Sequence, residues 1–520
     1  MWSVVARYRM ATVVDWRVSV GLVGSVFKYL SIPLVLPLAV ALLYGNDPLP
    51  FLATIVVALA LGSALERLRG DRELGHREAF LLVSLTWLAV PVLGTMPYLI
   101  ADVGTVAHPV NALFESMSGF TTTGATLLGD ISVEKHGHAM LLWRQLTQWL
   151  GGMGILVLMV AILPELSVGG ARLISEESPG VSVDKLRPKI QETARILWLI
   201  YIGFTVAAAV VYYGLHLLGL ADDMGLYNAV AHALTTLPTG GFSPEARSVE
   251  AFSPAVQWAV IAFMIVAGTN FALFWYALIG RPEKLFRNSE FRSYLGTMVA
   301  VSALVAGLLF TGLGLATAPE AVGPIPGHLE TAVRQGVFQV VAIVTTTGYA
   351  SMDFNTWDST AQVVLLFAMF LGGSAGSAAG SIKIIRWYAV ERSVLRELFT
   401  TVHPEAVRPV RTASGVIDEQ TLRGVITFIL VFIGIFAVST VLLLIEGATN
   451  PEIGGLSTLE AMSATIATLG NVGPGFGIVG PMDSYLDFST PAKLYMIGLM
   501  WVGRLEILSV LVVFTPNYWR

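Results

Sequence analysis

Apolar residues occur along this chain in long runs separated by short polar stretches. The hydrocarbon core of a bilayer is about 30 Å thick, and about 20 consecutive apolar residues cross it as a helix. Runs of about that length predict ten transmembrane helices: 20–45, 50–66, 79–100, 139–163, 192–218, 255–279, 292–315, 361–388, 421–445 and 491–514. The fold class that follows is an all-α integral membrane protein.

Shorter apolar segments lie between predicted helices three and four, five and six, seven and eight, and nine and ten. Each is about half as long as a spanning helix, which predicts that it enters the membrane and returns to the same side. Each ends in a stretch rich in glycine or threonine. The pattern predicts two extra N-terminal helices and then four pseudo-symmetric helix–loop–helix repeats, with boundaries at 1–78, 79–190, 191–290, 291–415 and 416–520.

Composition agrees with a chain that lies mostly in lipid. Hydrophobic residues make up 55% of the sequence and charged residues 13%, whereas soluble domains usually carry about 25% charged residues. Cysteine is absent, which excludes disulfides, cysteine-ligated zinc and thiol nucleophiles.

The distribution of charge predicts the orientation in the membrane. Lys and Arg concentrate in cytoplasmic loops, and placing both termini in the cytoplasm puts most of the 31 Lys and Arg residues on that side. An anionic mouth raises the local cation concentration, although outer loops are also polar without any function. The acidic residues predicted to lie outside are Asp102, Asp130, Asp222, Asp223, Glu245, Glu250, Asp353, Asp358, Glu446, Glu452, Asp483 and Asp487.

The four glycine-containing stretches, 121–125, 237–241, 345–349 and 470–475, predict a cation filter. Rings of backbone carbonyls replace the hydration shell of an ion in potassium channels, and glycine adopts the backbone angles that such a ring needs. We align Gly124, Gly240, Gly348 and Gly473 as equivalent. The predicted filter residues are Thr122, Thr123, Gly124, Pro238, Thr239, Gly240, Thr346, Thr347, Gly348, Asn471, Val472 and Gly473.

The fourth stretch, Asn-Val-Gly-Pro-Gly at 471–475, is similar to the Thr-Val-Gly-Tyr-Gly of potassium channels, whereas the other three keep mainly Thr-Gly. One Thr-Gly pair alone indicates an ordinary turn. Three such pairs and a Val-Gly, each after a half-length apolar segment, indicate a shared carbonyl layer. Because only one layer is secured, the sequence predicts weaker discrimination between K⁺, Rb⁺ and Na⁺ than in a potassium channel.

At these residues the chain resembles the Trk/Ktr/HKT potassium transporter superfamily, and within it the TrkH-type membrane subunits. The resemblance covers nearly the whole chain, and its most specific segments are 118–125, 238–243, 372–381, 471–475 and 503–506. It implies K⁺ uptake across the plasma membrane, with K⁺ as the transported ion, no organic cofactor and no enzymatic activity. It also implies a lipid-embedded homodimer with one pore per protomer and a cytosolic, nucleotide-binding TrkA-type regulatory subunit, with no nucleic-acid partner.

The segment 372–381 contains four glycines and three serines in the middle of a predicted span. Such a composition disfavours a helix interior, so a mobile loop competes with close helix packing. The G-x-S-x-G pattern around Ser374 also fits an intramembrane serine protease, but none of the eight histidines lies mid-membrane on a full span to act as its base. The predicted gate residues are Gly372, Gly373, Gly376, Gly380, Lys383 and Arg504.

Arg504 lies inside the last predicted span, where a charge is costly and marks function or a specific partner. It either donates to carbonyls of 372–381 as part of a closed gate or forms a structural pair with Glu506 or another acid. Lys383 is placed to act similarly at the inner exit. Glu115 and Glu460, on the half-length segments, are expected to be structural. A Na⁺-conducting or H⁺/Na⁺-coupled symporter of the same fold remains the other transport hypothesis.

Overall fold

The computed structural model describes residues 14–69, 75–161, 186–317, 322–412 and 415–519, and most of them are helical. Within these ranges, six helices are long and apolar enough to cross a membrane, or seven if one bent pair counts as a span. Large apolar side chains such as Leu43, Val206 and Leu430 remain exposed along them. Apolar surface of this extent is stable only in lipid, so the chain is a multi-pass membrane protein.

The N-terminal part consists of three helices: α1 (Trp16–Leu30), α2 (Val35–Tyr44) and α3 (Leu49–Glu66). Helices α1 and α3 approach closely at two glycines. A Cβ added to Gly24 would lie 2.6 Å from the carbonyl oxygen of Gly62, and one added to Gly62 would lie 2.7 Å from that of Gly24. Small residues permit this backbone-to-backbone approach in lipid.

The next helices form two groups, each with a short helix in its middle. The first group comprises α4 (His76–Gly94), α5 (Met96–Ala101), α6 (Pro109–Phe120) and α7 (Val133–Ala161). The second comprises α8 (Leu186–Leu217), α9 (Leu226–Thr236), α10 (Pro254–Ala267) and α11 (Phe271–Leu278). Single 3₁₀ turns lie at Gly104–Ala107 and Ser248–Ala251.

Two further groups complete the described chain. The third comprises α12 (Glu283–Arg287), α13 (Ser289–Thr311), α14 (Leu329–Val344), α15 (Ser359–Ala368) and α16 (Ile384–Val402). A small antiparallel hairpin of β1 (Arg411–Thr412) and β2 (Gly415–Val416) follows, with Arg411 opposite Val416. The fourth comprises α17 (Glu419–Thr449), α18 (Thr458–Leu469), α19 (Thr490–Arg504), α20 (Leu508–Val513) and α21 (Pro516–Trp519), and 3₁₀ turns lie at Phe354–Thr356 and Gly477–Val479.

The predicted spans 20–45 and 79–100 each consist of two consecutive helices that still form one candidate span. Three other predicted spans are broken. The 255–279 segment bends by 97° between α10 and α11, where the Asn270 side chain accepts a hydrogen bond from the Ala272 amide and starts a new helix. The 491–514 segment breaks between α19 and α20, where Glu506 and Ile507 have φ of 61° and 39°. The prediction of two uninterrupted helices there was wrong, because hydropathy summed over 20 residues is insensitive to a break of three.

The third broken segment is 361–388. The prediction that a loop interrupts the helix there is confirmed. Helix α15 ends at Ala368 and α16 begins at Ile384. The residues between them, 369–383, are called the intramembrane loop below. A backbone bridge between Leu371 and Ile382 joins the two ends of the loop. The end of α15 and the start of α16 therefore lie close together.

The short helices α6, α9, α14 and α18 contain 12, 11, 16 and 12 residues. Their C-terminal halves are buried, which fits segments that are surrounded by the longer helices. At 1.5 Å per residue they reach only part of the way across a bilayer. Each therefore delivers its C-terminal end, and the residues that follow, to the interior of the protein.

Candidate functional site

The four segments that follow the short helices share one backbone conformation. We call them loops 1 to 4, with residues 121–124, 238–241, 345–348 and 470–473. Each contains a non-glycine residue with positive φ, which is uncommon for L residues: Thr122 (52°), Thr239 (55°), Thr346 (55°) and Asn471 (53°). Two residues later each contains a glycine with positive φ: Gly124 (81°), Gly241 (79°), Gly348 (72°) and Gly473 (104°).

This recurrence corrects the alignment of the second loop. Gly241, not Gly240, has the positive φ and stands two residues after the left-handed threonine. The alignment of Gly240 with the other three glycines was wrong by one residue, and Pro238 consequently stands at the position of Thr121 rather than Thr122. In loops 1, 3 and 4 the predicted residues occupy equivalent positions.

The four loops meet in a cyclic arrangement, each in contact with the next. A Cβ built on each positive-φ glycine would collide with a carbonyl oxygen of the next loop, so no side chain fits there. The contacts run from Gly124 to the oxygen of Gly240, from Gly241 to that of Thr347, from Gly348 to that of Val472, and from Gly473 to that of Thr123. These four oxygens form a closed ring, which we call the carbonyl layer.

Threonine hydroxyls brace loops 1 and 3 in the same way. The Oγ1 atoms of Thr121 and Thr123 lie 2.7 Å apart, and those of Thr345 and Thr347 are also 2.7 Å apart. In loop 4, Gly470 and Val472 stand at these two positions, and Asn471, at the position of Thr122, donates from Nδ2 to Thr123 Oγ1 at 2.9 Å. These side chains therefore bond to one another. Within loops 1, 3 and 4 they donate no hydrogen bond to the carbonyl oxygens of the layer.

Buried polar groups hold the loops from outside. Glu115 on α6 pairs with Arg144 on α7 at 2.6 Å, and both side chains are buried. Arg144 also donates to the carbonyl of Ser243 at 2.9 Å, just beyond loop 2. A buried ion pair of this kind needs such additional hydrogen bonds. Glu460 instead completes a capping box with Ser457 at the start of α18, so both acids have the structural role expected.

The intramembrane loop lies directly against loops 3 and 4. The Gly380 amide donates to Thr346 Oγ1 at 2.7 Å. A Cβ on Gly380 would collide with the carbonyl oxygen of Gly470 and lie 3.0 Å from Cβ of Asn471. The predicted gate residue Gly380 therefore contacts the ends of the short helices, immediately before the carbonyl layer.

The opposite side of the intramembrane loop is held by the break between α10 and α11. The Ser374 amide donates to Gly268 O at 2.8 Å, and the Phe271 amide donates to Gly376 O at 3.1 Å. Between these, the Ala375 amide donates to the Glu290 carboxylate at 2.5 Å. Three successive residues of the loop are therefore attached to groups from another part of the chain.

Two buried cations, Arg504 from α19 and Lys383 from the end of the loop itself, donate hydrogen bonds to carbonyl groups of the intramembrane loop. Arg504 Nη1 donates to Ala378 O at 2.8 Å, which confirms the predicted contact with this loop. Lys383 Nζ donates to the carbonyl of Ala379, and lies 3.5 Å from that of Ser377. Glu506 does not pair with Arg504 but forms an ion pair with Arg386. Loop carbonyls thus compensate part of the cost of burying both charges.

Residues 50–520 match the family model TrkH, described as a cation transport protein. The chain belongs to the TrkH family. It is 36% identical to the Trk system potassium uptake protein TrkH of Salmonella typhimurium over 97% of this chain and 99% of that one. It is 33% identical to the Trk system potassium uptake protein TrkI of Halomonas elongata, over 97% of each. The crystal structure of the potassium transporter TrkH from Vibrio parahaemolyticus matches with a TM-score of 0.83 at 32% identity, over 98% of this chain and 100% of that one.

Four residues at the centre of this TrkH-family site were missed from sequence: Gly241, Gln148, Glu290 and Asn270. Gln148 is a buried amide in the middle of a predicted span, and a polar residue in that setting was an available signal. Glu290 lies two residues outside the predicted span 292–315, where an acidic residue gives no particular signal. Nothing local distinguishes Gly241 from Gly240, because the difference appears only in the backbone angles.

The protease interpretation finds no support in this TrkH-family structure. A serine nucleophile needs a hydrogen-bonded base, and within the described residues Ser374 Oγ has no hydrogen-bond partner. Its amide instead serves to attach the intramembrane loop to Gly268.

Proposed function

We propose that this chain mediates potassium uptake across the plasma membrane through the passage enclosed by loops 1 to 4. The observation that carries the proposal is the closed ring of contacts between four positive-φ glycines and four carbonyl oxygens. The similar proteins of Salmonella typhimurium and Halomonas elongata are both named as potassium uptake proteins, which supports the choice of ion.

In this proposal the carbonyl oxygens of Thr123, Gly240, Thr347 and Val472 replace water around the ion. The short helices end at the layer, and the partial negative charge at a helix C-terminus favours a cation there. The left-handed residues before each glycine hold the carbonyls in place, so the ion does not have to organise them. The filter then comprises 122–124, 239–241, 346–348 and 471–473.

The proposal includes ten spans, with each broken pair counted as one, and the four repeats with the boundaries given above. Both termini are cytoplasmic, which the positive-inside distribution of Lys and Arg supports. The first repeat's inner end falls on residues 162–185, which lie outside the described ranges.

The intramembrane loop serves as the gate in this proposal. It contacts the inner ends of loops 3 and 4 through Gly380, and it is fixed to other parts of the chain by Arg504 and Glu290, while Lys383 braces it internally. Opening requires that these attachments break together and that the loop moves away from the passage. Gly372, Gly373 and Gly376 lie where a Cβ would collide with neighbouring backbone or side chains, so glycine permits the closed packing.

We further propose a homodimer with one pore per protomer and a cytosolic nucleotide-binding regulatory subunit. The relatives are named as parts of a Trk system, which supports a multi-component assembly. The basic, exposed segments around α12 and α16 are suitable cytoplasmic contact surfaces under the proposed orientation. Mass photometry of the detergent-solubilised chain tests the dimer, and a single-protomer mass would contradict it.

Ion flux in liposomes tests the function. We expect the reconstituted chain to carry K⁺ and Rb⁺ faster than Na⁺, and Gly473→Ala to abolish this flux, because a Cβ at Gly473 would lie 2.6 Å from the Thr123 oxygen. Gly296→Ala is the matched control, since a Cβ at this helical glycine has open space within 4 Å. Unchanged flux in folded Gly473→Ala protein would contradict the proposal. Uphill K⁺ accumulation driven by an imposed H⁺ or Na⁺ gradient would identify coupled symport instead.

A further inference from the structure

The side chain of Gln148 forms a two-point contact with loop 2. Gln148 lies on α7 and is fully buried. Its Nε2 donates to the carbonyl oxygen of Gly240 at 2.6 Å, and its Oε1 accepts a hydrogen bond from the Phe242 amide at 3.0 Å. The amide therefore spans the positive-φ glycine Gly241 and fixes the backbone on both sides of it.

This contact makes the carbonyl layer asymmetric. Among the described residues, the oxygens of Thr123, Thr347 and Val472 accept no side-chain hydrogen bond, whereas that of Gly240 accepts one from Gln148. A carbonyl oxygen has two lone pairs. One can therefore be directed to Gln148 while the other remains available to an ion in the passage.

The same contact explains why loop 2 has two consecutive glycines. Gly241 has a φ of 79°, which requires glycine for the backbone conformation. Gly240 has no such requirement, but a Cβ there would collide with the amide group of Gln148. Two adjacent glycines increase the backbone freedom of this segment in the unfolded chain, and Gln148 is a side chain that restrains it in the folded protein.

We infer that Gln148 is a specificity-determining positioning residue, whose amide holds the Gly240 carbonyl at the distance suited to K⁺. This inference rests on the proposed function of the passage. Without the amide, the Gly240 carbonyl moves closer to a smaller ion at little cost, and discrimination against Na⁺ decreases. Gln148 acts through the Gly240 backbone and does not itself coordinate the ion.

Two substitutions test this role, Gln148→Met and Gln148→Glu. Methionine has a similar shape without the amide, and glutamate keeps an acceptor for the Phe242 amide but places an oxygen against the Gly240 oxygen. We expect both to raise the ratio of Na⁺ to K⁺ flux several-fold in liposomes while total flux persists. The matched control is Gln145→Met on the same helix, because the buried Gln145 amide has no hydrogen-bond partner among the described residues. Its flux ratio should stay at the wild-type value.

A second measurement needs no transport. In detergent, KCl should raise the Tm of the wild type and of Gln145→Met relative to choline chloride, and raise that of Gln148→Met much less. Wild-type ion ratios and KCl effects in folded Gln148→Met would overturn the inference, as would an equal change in Gln145→Met. If the wild type shows neither flux nor stabilisation by KCl, the proposed function fails and the inference fails with it.

Discussion

At the scale of single residues, the carbonyl layer depends on glycines that are required for two different reasons. Gly124, Gly241, Gly348 and Gly473 need both a positive φ and space against the next loop. Gly240 needs only space, against the side chain of Gln148. A substitution at one of the four positive-φ glycines strains the backbone whatever surrounds it. A substitution at Gly240 collides with the side chain of Gln148, so a smaller residue at position 148 relieves the collision.

This difference predicts unequal rescue of two neighbouring variants. Gly240→Ala should reduce K⁺ flux, and adding Gln148→Ser should restore part of it because the colliding amide is gone. Gly241→Ala should lose flux in either background, since its positive φ alone costs about 1–3 kcal/mol. Flux of the wild type, the three single variants and the two double variants in liposomes gives the double-mutant cycles; equal rescue at both positions would contradict the distinction.

Arg504 offers a test of the closed state. Arg504→Ala removes the hydrogen bond to Ala378 O and a buried positive charge beside the intramembrane loop. We expect basal K⁺ flux to rise in the absence of any regulatory partner, because the loop loses one attachment. Arg396→Ala serves as the control, since Arg396 pairs with Glu397 and Glu419 away from the loop. Unchanged basal flux in folded Arg504→Ala protein would exclude a gating role.

At the scale of secondary-structure elements, the breaks between helices contribute hydrogen-bonding groups to the site, as the helices do. The bend between α10 and α11 exposes the Gly268 carbonyl and the Phe271 amide, and both bond to the intramembrane loop. An uninterrupted helix would have used these groups internally. In the first turn of helix α13, the Glu290 carboxylate accepts a hydrogen bond from the Ala375 amide.

Removal of the Glu290 carboxylate tests this coupling between elements. Glu290→Ala leaves the Ala375 amide without its acceptor, which costs about 1–3 kcal/mol for a buried donor. We expect a lower Tm and a higher basal K⁺ flux, because the loss falls on the closed position of the loop. Glu283→Ala, at an exposed site on α12, should change neither. A lower Tm without any change in flux would assign Glu290 to stability alone.

The sequence predicts elements better than it predicts their interruptions. The apolar runs gave the bounds of α3 and α13 closely, and the half-length segments gave α6, α9, α14 and α18, since both depend on local composition. The break at Asn270 and the register of Gly241 depend on partners far along the chain. Gln148 is 92 residues from Gly240, and Glu290 is 85 residues from Ala375, so no local pattern reveals either contact.

At the scale of the whole molecule, the outer ends of the loops are joined by polar contacts between repeats. Asn355 Nδ2 donates to Gly477 O at 3.0 Å and to Asp483 at 3.1 Å, which links the segments after loops 3 and 4. The Glu250 amide donates to Ala350 O at 3.0 Å, which links those after loops 2 and 3. Under the proposed orientation, Glu250 and Asp483 therefore lie near the outer entrance of the proposed passage.

External pH should act through Glu250. Burial raises the pKa of this carboxyl and the charge of Asp353 adds to the rise, while Arg247 opposes it. As pH falls, Glu250 therefore becomes neutral at a higher pH than an ordinary glutamate, and Arg247 is left without its counter-charge. Uptake at low K⁺ should decline in the wild type as Glu250 is protonated, and less steeply in Glu250→Gln, which should begin from a lower rate at neutral pH.

The exposed Asp222→Asn variant is the control for this experiment, with an expected pH profile like that of the wild type. High ionic strength should reduce the difference between Glu250→Gln and wild type, because salt screens the attraction between this carboxylate and cations that approach through solvent. Identical pH profiles for wild type and Glu250→Gln at low salt would exclude Glu250 as the titrating group.

The ring closes between Gly473 and Thr123, two positions about 350 residues apart in a chain that is synthesised from one end. At about 5–20 residues per second, loop 1 waits roughly 20–70 s in the bilayer before its last neighbour emerges from the ribosome. During that time its unpaired peptide groups lack the protein surroundings that make irregular backbone tolerable in lipid. Biogenesis of this protein therefore calls for protection of the early loop at the insertion machinery, and a nascent chain arrested before the fourth repeat should be recognised and degraded.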